Sequence, residues 1–288
     1  MMTLLQTDAI AEFAPAKINL CLHVTGQRAD GYHLLDSIVA FANIGDRLWL
    51  RPSQELALTL EGPFGPKLPS GADNLVLQAA KAVMPGVTGR FTLEKHLPPA
   101  SGIGGGSSDA AAAIRAVLRL TGMPPPADLA QRAAALGADV PVCLSPGPVR
   151  MRGVGEHLEP LISFPECGVV LVNPGVEVAT PAVFRALPEK NHPPLPKTLP
   201  HWPDPAALAT WLGGQRNDLE APASAIAPVI RDVLCALRAQ PQTLIARMSG
   251  SGATCFALFQ DEARAAAAAH ALQIRQPGWW IAPGRLIG

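Results

Sequence analysis

Along this chain the apolar residues change their period several times, and each change marks an element. From Lys17 the pattern alternates: Lys17, Asn19, Cys21 and His23 fall on one side, and Ile18, Leu20, Leu22 and Val24 on the other. A period of two is that of a strand, so 13–24 is expected to be one. Residues 34–51 and 56–62 read as strands joined by turns. The spacing then lengthens: 73–84 predicts a helix capped by Asp73 or Asn74, and 90–98 returns to a strand. The clearest helix covers 108–122. Ile114, Val117 and Leu118 form its apolar stripe, and Arg115 and Arg119 face away. Ser108 or Asp109 can cap its start, and Gly122 lies just past its end. A second helix over 127–141 is expected to stop at Gly137.

Further on, 167–175 reads as a buried strand and 186–205 as an exposed proline-rich loop. A helical stretch follows around 224–239. A second glycine turn leads into a strand over 246–259, then come a helix over 261–273 and a last strand over 278–286. Strands followed by helices argue for an α+β fold rather than a doubly wound sheet. Pro146, Gly147 and Pro148 mark a candidate boundary, giving two expected domains, 1–152 and 153–288.

Composition narrows the partners. The chain has 288 residues, 48% of them apolar and 16% charged, which is globular. Basic and acidic residues balance at 23 each, so no broad basic field is available and nucleic acid is not an expected partner. An anion would have to be held locally. The five cysteines form no Cys-x-x-Cys pair, and their odd number fits a disulfide framework poorly, so reduced thiols are expected. The first fifteen residues lack the basic start of a signal peptide, and no apolar run reaches membrane-spanning length. A cytoplasmic protein with no membrane partner is the expectation.

The stretch PPASGIGGGSSDAAAA, 98–113, carries the chemistry. Four glycines fall among the five residues 102–106. A Walker loop would need a lysine where Ser107 stands, and the dinucleotide pattern breaks at the same residue. The physics still favours phosphate. Glycines admit positive φ and close approach, successive N–H groups form an anion nest, and the following helix adds its positive end. Ser107 and Ser108 can donate to phosphate oxygens or ligate Mg²⁺. The competing reading is a tight strand-to-helix turn, which needs fewer glycines.

Two further residues stand out. Lys17 lies in an otherwise apolar strand, and Asp139 sits between Gly137 and Pro141. A kinase acting on an alcohol needs both types: a carboxylate to accept the hydroxyl proton and a cation to hold developing charge. Each also has a plain structural reading, a snorkelling lysine and a turn aspartate. Lys95, at a strand end before the glycine loop, can reach a nucleotide or simply be solvated. Tyr32, the single tyrosine, lies in a glycine-bounded loop and suits a heteroaromatic ligand or a domain edge.

Taken together, PAKINL, the glycine loop and the later SGSGATCFAL resemble the GHMP kinase superfamily of small-molecule kinases. TGQRADGYHLLDSIVAF and LGADVPVCL, with GVGE, NPGVEVATPAVF and NDLE, are similar to its branch acting on a cytidine diphosphate sugar alcohol, on the non-mevalonate route to isoprenoid precursors. The resemblance covers about residues 13–260. It implies a ribosomal-protein-S5-like N-terminal domain and a ferredoxin-like C-terminal α/β sandwich, with ATP-Mg²⁺ and the sugar alcohol meeting in the cleft between the two halves. It implies that Pro98, Pro99, Ala100, Ser101, Gly102, Ile103, Gly104, Gly105, Gly106, Ser107 and Ser108 wrap the triphosphate of ATP, with no metal ligand named. Lys17 and Asp139 would be the catalytic pair, Asp139 the base for a tertiary 2-hydroxyl. Tyr32 would stack on cytosine, His33 would read its edge and Phe184 would close the other face. Asn19 and Thr180 would lie on the substrate side, and Gly250 and Gly252 would let the late loop pack under the phosphate loop. Ala100, Ser101 and Ala179 depart from the family pattern. A homoserine- or mevalonate-type kinase, or a non-catalytic nucleotide-binding regulator, are the alternatives. The expected assembly is a monomer or weak dimer.

Overall fold

The computed structural model describes residues 9–287; the first eight residues, part of the amino-terminal stretch read above, and the last lie outside it. The chain divides into two compact units. Each is built from several stretches of the chain. The strands β1 (Ile10–Gln27) and β2 (His33–Arg51) each supply residues to both units.

The first unit comprises the described residues up to Ala16, Gly45–Pro99 and Gly105–Ser145. The end of β2 pairs antiparallel with β4 (Gly89–Glu94), from Arg47 opposite Glu94 to Arg51 opposite Arg90. β3 (Leu56–Glu61) runs parallel to β4, with α1 (Leu75–Val83) in the connection. Asn74, not Asp73, caps α1, its side-chain oxygen accepting from Val76 N at 2.9 Å. α1 packs on α2 (Gly105–Thr121). Ala110 to Ala113 of α2 are all fully buried. Such small side chains let helices approach closely, and burying them with Phe91, Leu93 and Leu50 makes this unit's core. α3 (Leu129–Leu136) ends at Gly137 as expected, and a short helix α4 (Val140–Cys143) follows. Gly122 takes φ +65° past the end of α2, the left-handed stop expected of it.

The start of α2 differs from expectation. The helix begins at Gly105, so neither Ser108 nor Asp109 is its cap. Arg115 and Arg119 do not simply face away either. Both bind Glu12, and Arg115 also donates to the carbonyl oxygens of Phe13 and Cys143.

The second unit comprises Lys17–Ile44, Ala100–Gly104 and the described residues from Pro146 onward. The candidate boundary at 146–156 forms β5 (Val149–Gly153), which pairs antiparallel with β2 and with β6 (His157–Pro160). β10 (Trp280–Ile287) lies between β2 and β7 (Gly168–Asn173); β9 (Cys255–Phe259) and β8 (Ile245–Met248) follow, all antiparallel. β7 is buried throughout, the mark of a central strand. α9 (Glu262–Arg275) packs on β7 and β10, and α8 (Val229–Arg238) on β8 and β9. The helical stretch expected over 224–239 is two helices, α7 (Glu220–Ile226) and α8. Pro228 stands at the break, where its missing N–H costs nothing. Between α5 (Thr180–Ala186) and α6 (Pro205–Gly213) the proline-rich segment is irregular, but Leu195 and Trp202 within it are buried. Its backbone is held: Leu195 N donates to Asp36, and Arg150, paired with Asp36, donates to the carbonyls of 195–197. Strands and helices in both units make the α+β fold expected. Among the described residues no helix is long and apolar enough to cross a membrane.

Candidate active site

In the second unit the glycine loop is pinned to β1. Residues 14–24 of that strand are buried without alternation, so Lys17 is 3% exposed and Asn19 1%. Lys17 N donates to Ile103 O at 2.9 Å. Gly104, at φ +63°, lies so close that a Cβ there would stand 3.1 Å from Lys17 Cβ. Gly102, at φ +78°, is tighter: a Cβ would stand 2.6 Å from Gly252 O and 2.7 Å from Ser249 O. Only glycine fits both that conformation and that space. The late glycine turn supports the loop from this side. Ser249 Oγ donates to Gly102 O at 3.1 Å, and Thr254 N to Ser101 O at 3.1 Å. Gly250 and Gly252 take φ +55° and +83° to do so. Asn19 N donates to the same Ser249 Oγ, and its side-chain amide donates to Ser37 Oγ at 2.8 Å. Ala100 holds φ +49°, a left-handed residue that is not glycine.

In the first unit the loop's last glycines become the first turn of α2, whose leading N–H groups have no partner within the helix. Gly106 is exposed and Ser107 half-buried, whereas Ser108 is fully buried and its Oγ has no hydrogen-bond partner. Lys95 does not reach outward from the strand end. It is 2% exposed, and its ammonium donates to Asp46 Oδ2 at 2.5 Å and Asp109 Oδ2 at 2.6 Å. Burial alone favours loss of the Lys95 proton, but Asp109 and Asp46 together outweigh it and raise its pKa. Burial pushes the Asp109 carboxyl up to about 7 against the pull of Lys95, with Asp46 adding to the rise. Asp109 Oδ1 has no partner. Asp139, in the same unit, precedes α4; it is half-buried and its carboxylate does not cap that helix. It therefore does not serve the capping role common for an aspartate at such a position.

Tyr32 and His33 follow a tight turn in the second unit. Arg28 N donates to Tyr32 O at 2.8 Å, and Gly31 takes φ +92°. Tyr32 is 61% exposed. His33 stacks on Phe184 of α5, ring centroids 4.5 Å apart and 20° between planes. The ring of His33, not that of Tyr32, covers Phe184. His33 Nε2 is buried and has no partner. Burial, and then the charge of Lys190, hold this imidazole below its ordinary pKa. Thr180 Oγ1 pairs with Ser251 Oγ at 2.7 Å, joining α5 to the late glycine turn. Ala179 stands at the N-cap of α5 with no side chain to cap it.

Asp46 was invisible to pattern reading. In the sequence it is one acidic residue between Gly45 and Arg47, which reads as an ordinary turn or strand-edge charge. His23 was read only as one face of β1. It is 2% exposed, its Nε2 accepting from Arg216 N and its Nδ1 donating to Pro193 O, both at 3.1 Å. Among the described residues no cluster of three or more His, Cys, Asp or Glu could hold a metal ion.

Residues 74–147 match the GHMP kinases N terminal domain and 198–277 the GHMP kinases C terminal domain. The 4-diphosphocytidyl-2-C-methyl-D-erythritol kinase of Dinoroseobacter shibae is 58% identical over 274 residues, 95% of this chain and 94% of that protein. A crystal structure of 4-(cytidine 5'-diphospho)-2C-methyl-D-erythritol kinase superposes with a TM-score of 0.78 at 36% identity, covering 97% of this chain and 100% of that one. Homoserine kinase from Cytophaga hutchinsonii shares the fold, with a TM-score of 0.69 at 22% identity over 99% of this chain and 96% of that one.

Proposed function

Because the chain belongs to the 4-diphosphocytidyl-2-C-methyl-D-erythritol kinases, within the GHMP kinases, we propose that it transfers the γ-phosphoryl group of ATP to the 2-hydroxyl of 4-diphosphocytidyl-2-C-methyl-D-erythritol. The products are the 2-phosphate and ADP, a step of the non-mevalonate route to isoprenoid precursors. The observation that carries this reading is the seating of the glycine loop on Lys17, through Lys17 N to Ile103 O and Gly104 against the lysine stem. A triphosphate bound along that loop has its terminal phosphate close to a buried cation.

Each residue then has a task. The N–H groups of 102–108 and the first turn of α2 hold the phosphates. Mg²⁺ arrives with ATP as part of the substrate, held by phosphate oxygens. Asp139 takes the proton of the 2-hydroxyl, whose oxygen bonds to the γ-phosphorus as the bond to ADP breaks. Lys17 stabilises charge on the transferring group. His33, kept neutral by burial, carries one ring N–H donor and one acceptor, which suits a cytosine edge. Phe184 and Tyr32 supply flat faces for the ring. Asn19 and Thr180 lie on the side of the sugar alcohol, the nucleotide being served mainly by the N-terminal part of the sequence.

Asp139→Asn tests the base. We expect kcat to fall by roughly 10² to 10⁴ with ATP affinity nearly unchanged. Steady-state rates from ADP release, alongside calorimetric ATP binding, decide it; near-normal turnover sinks the assignment. The same assay with homoserine and mevalonate separates the kinase readings, since activity on either and none on the cytidine compound overturns this one.

A further inference from the structure

The sequence suggested that Lys95 touches the nucleotide, but its ammonium is buried behind the loop. We propose that Lys95, Asp46 and Asp109 form an ionic clamp closing the base of the phosphate loop, and that Asp109 is a positioning residue for nucleotide binding. This rests on the kinase reading above.

The contacts lie at both ends of the loop. Upstream, Asp46 Oδ1 accepts from His96 N at 2.6 Å and Leu97 N at 2.8 Å, the last residues before Pro98. Asp46 Oδ2 accepts from Lys95. Downstream, Asp109 is the first residue after Ser108, one turn into α2, and its Oδ2 accepts from the same ammonium. One lysine thus joins the residues that enter the loop to those that leave it. The loop also lies against the clamp: a Cβ at Gly105 would stand 3.1 Å from Lys95 Nζ.

All three side chains are nearly inaccessible, at 2%, 0% and 4% exposure, so water neither screens the pairs nor replaces them. Charged hydrogen bonds of this kind are short and directional, and breaking one leaves a buried group unpaired. The orientation of the first α2 turn, and so of its unpaired N–H groups, follows from where Asp109 is held. Lys95 and Asp109 therefore act through the loop backbone, not on the phosphates.

The discriminating variants are Asp109→Ala and Asp109→Asn. Alanine removes the downstream anchor but leaves Lys95 paired with Asp46, so no lone charge is buried. Asparagine keeps an oxygen in place to accept from Lys95. Amide hydrogen exchange on the ligand-free protein should show residues 100–108 exchanging about tenfold faster in Asp109→Ala and within about twofold of wild type in Asp109→Asn. Affinity for a non-hydrolysable ATP analogue, by calorimetry, should weaken about tenfold in the alanine variant alone. Affinity for the cytidine substrate should hold in both. Unchanged loop exchange in Asp109→Ala overturns the clamp, as does an equal loss for both ligands or an asparagine variant as defective as alanine. If the wild type binds neither ligand, the kinase reading fails, while the exchange result still decides the clamp.

Discussion

The two regions proposed to hold the nucleotide and the cytosine base are built by different means. Around Gly102 the loop is fixed by backbone packed on backbone: its carbonyl takes Ser249, and its Cα faces two carbonyl oxygens. Around His33 the site is made of side chains: an imidazole stacked on Phe184, with a buried nitrogen that has no partner, beside an exposed Tyr32. The first region has its polar groups paired within the protein. The second contains an unmet hydrogen-bonding group that a ligand can satisfy. Phosphate is recognised by a shape that many sequences of glycine can build, whereas a base is recognised by which atoms are offered and in which protonation state.

The largest effect should come from breaking the first region. Gly102→Ala places a Cβ 2.6 Å from Gly252 O and 2.7 Å from Ser249 O, in a conformation alanine resists. The loop must move by a substantial part of an ångström, so kcat/KM for ATP should fall about 100-fold. Binding of the cytidine substrate, measured by calorimetry, should stay within about twofold if the two regions are independent. A matching loss for the cytidine compound would collapse the distinction between them.

The second region should instead respond to pH. His33 has its pKa lowered, first by burial and then by Lys190, so its neutral form is favoured in the folded protein. Protonation, which sets in as pH falls below the ordinary histidine value of about 6.5, removes the ring acceptor. The KM for the cytidine substrate should therefore be flat above about pH 6.5 and rise several-fold below it, while the KM for ATP does not follow. Parallel pH profiles for the two substrates decide this, and a cytidine KM that does not rise on acidification, or an ATP KM that rises equally, removes the edge-reading role of His33.

How far the sequence could be read depends on the same contrast. Glycine crowding is a local signal, and it located the loop, the left-handed stop at Gly122 and the end of α3 at Gly137. Lys17 stood out because a lysine is rare in an apolar strand. The clamp was not, since it needs Asp46, Lys95 and Asp109 from three separate segments, and pattern carries no information on which distant charges meet. The onset of α2 was misjudged for a related reason. Gly105 and Gly106 favour a loop by propensity, but the helix extends through them, and one turn further on Asp109 accepts the bond from Lys95. The alternation along β1 carries no sign of which side is buried: Asn19 and His23 are buried with their hydrogen bonds met inside the second unit.

Ala100 offers the smallest and most exact probe of the backbone-built region. It is exposed and sits at φ +49°, where the sequence departs from the glycine pattern expected of this family. A left-handed alanine costs roughly 1–2 kcal/mol, whereas glycine at the same place costs roughly 0.5–1 kcal/mol in extra freedom lost on folding. Relief exceeds cost, so Ala100→Gly should stabilise the protein by about 0.5–1 kcal/mol, read as a higher urea midpoint at constant slope. Because the turn already has the shape glycine would take, KM for ATP should change by less than about twofold. A destabilised variant would mean that the alanine methyl contributes packing the turn needs. A large change in KM at unchanged stability would mean that the turn is set by residue 100 itself and not by the carbonyl contacts around Gly102.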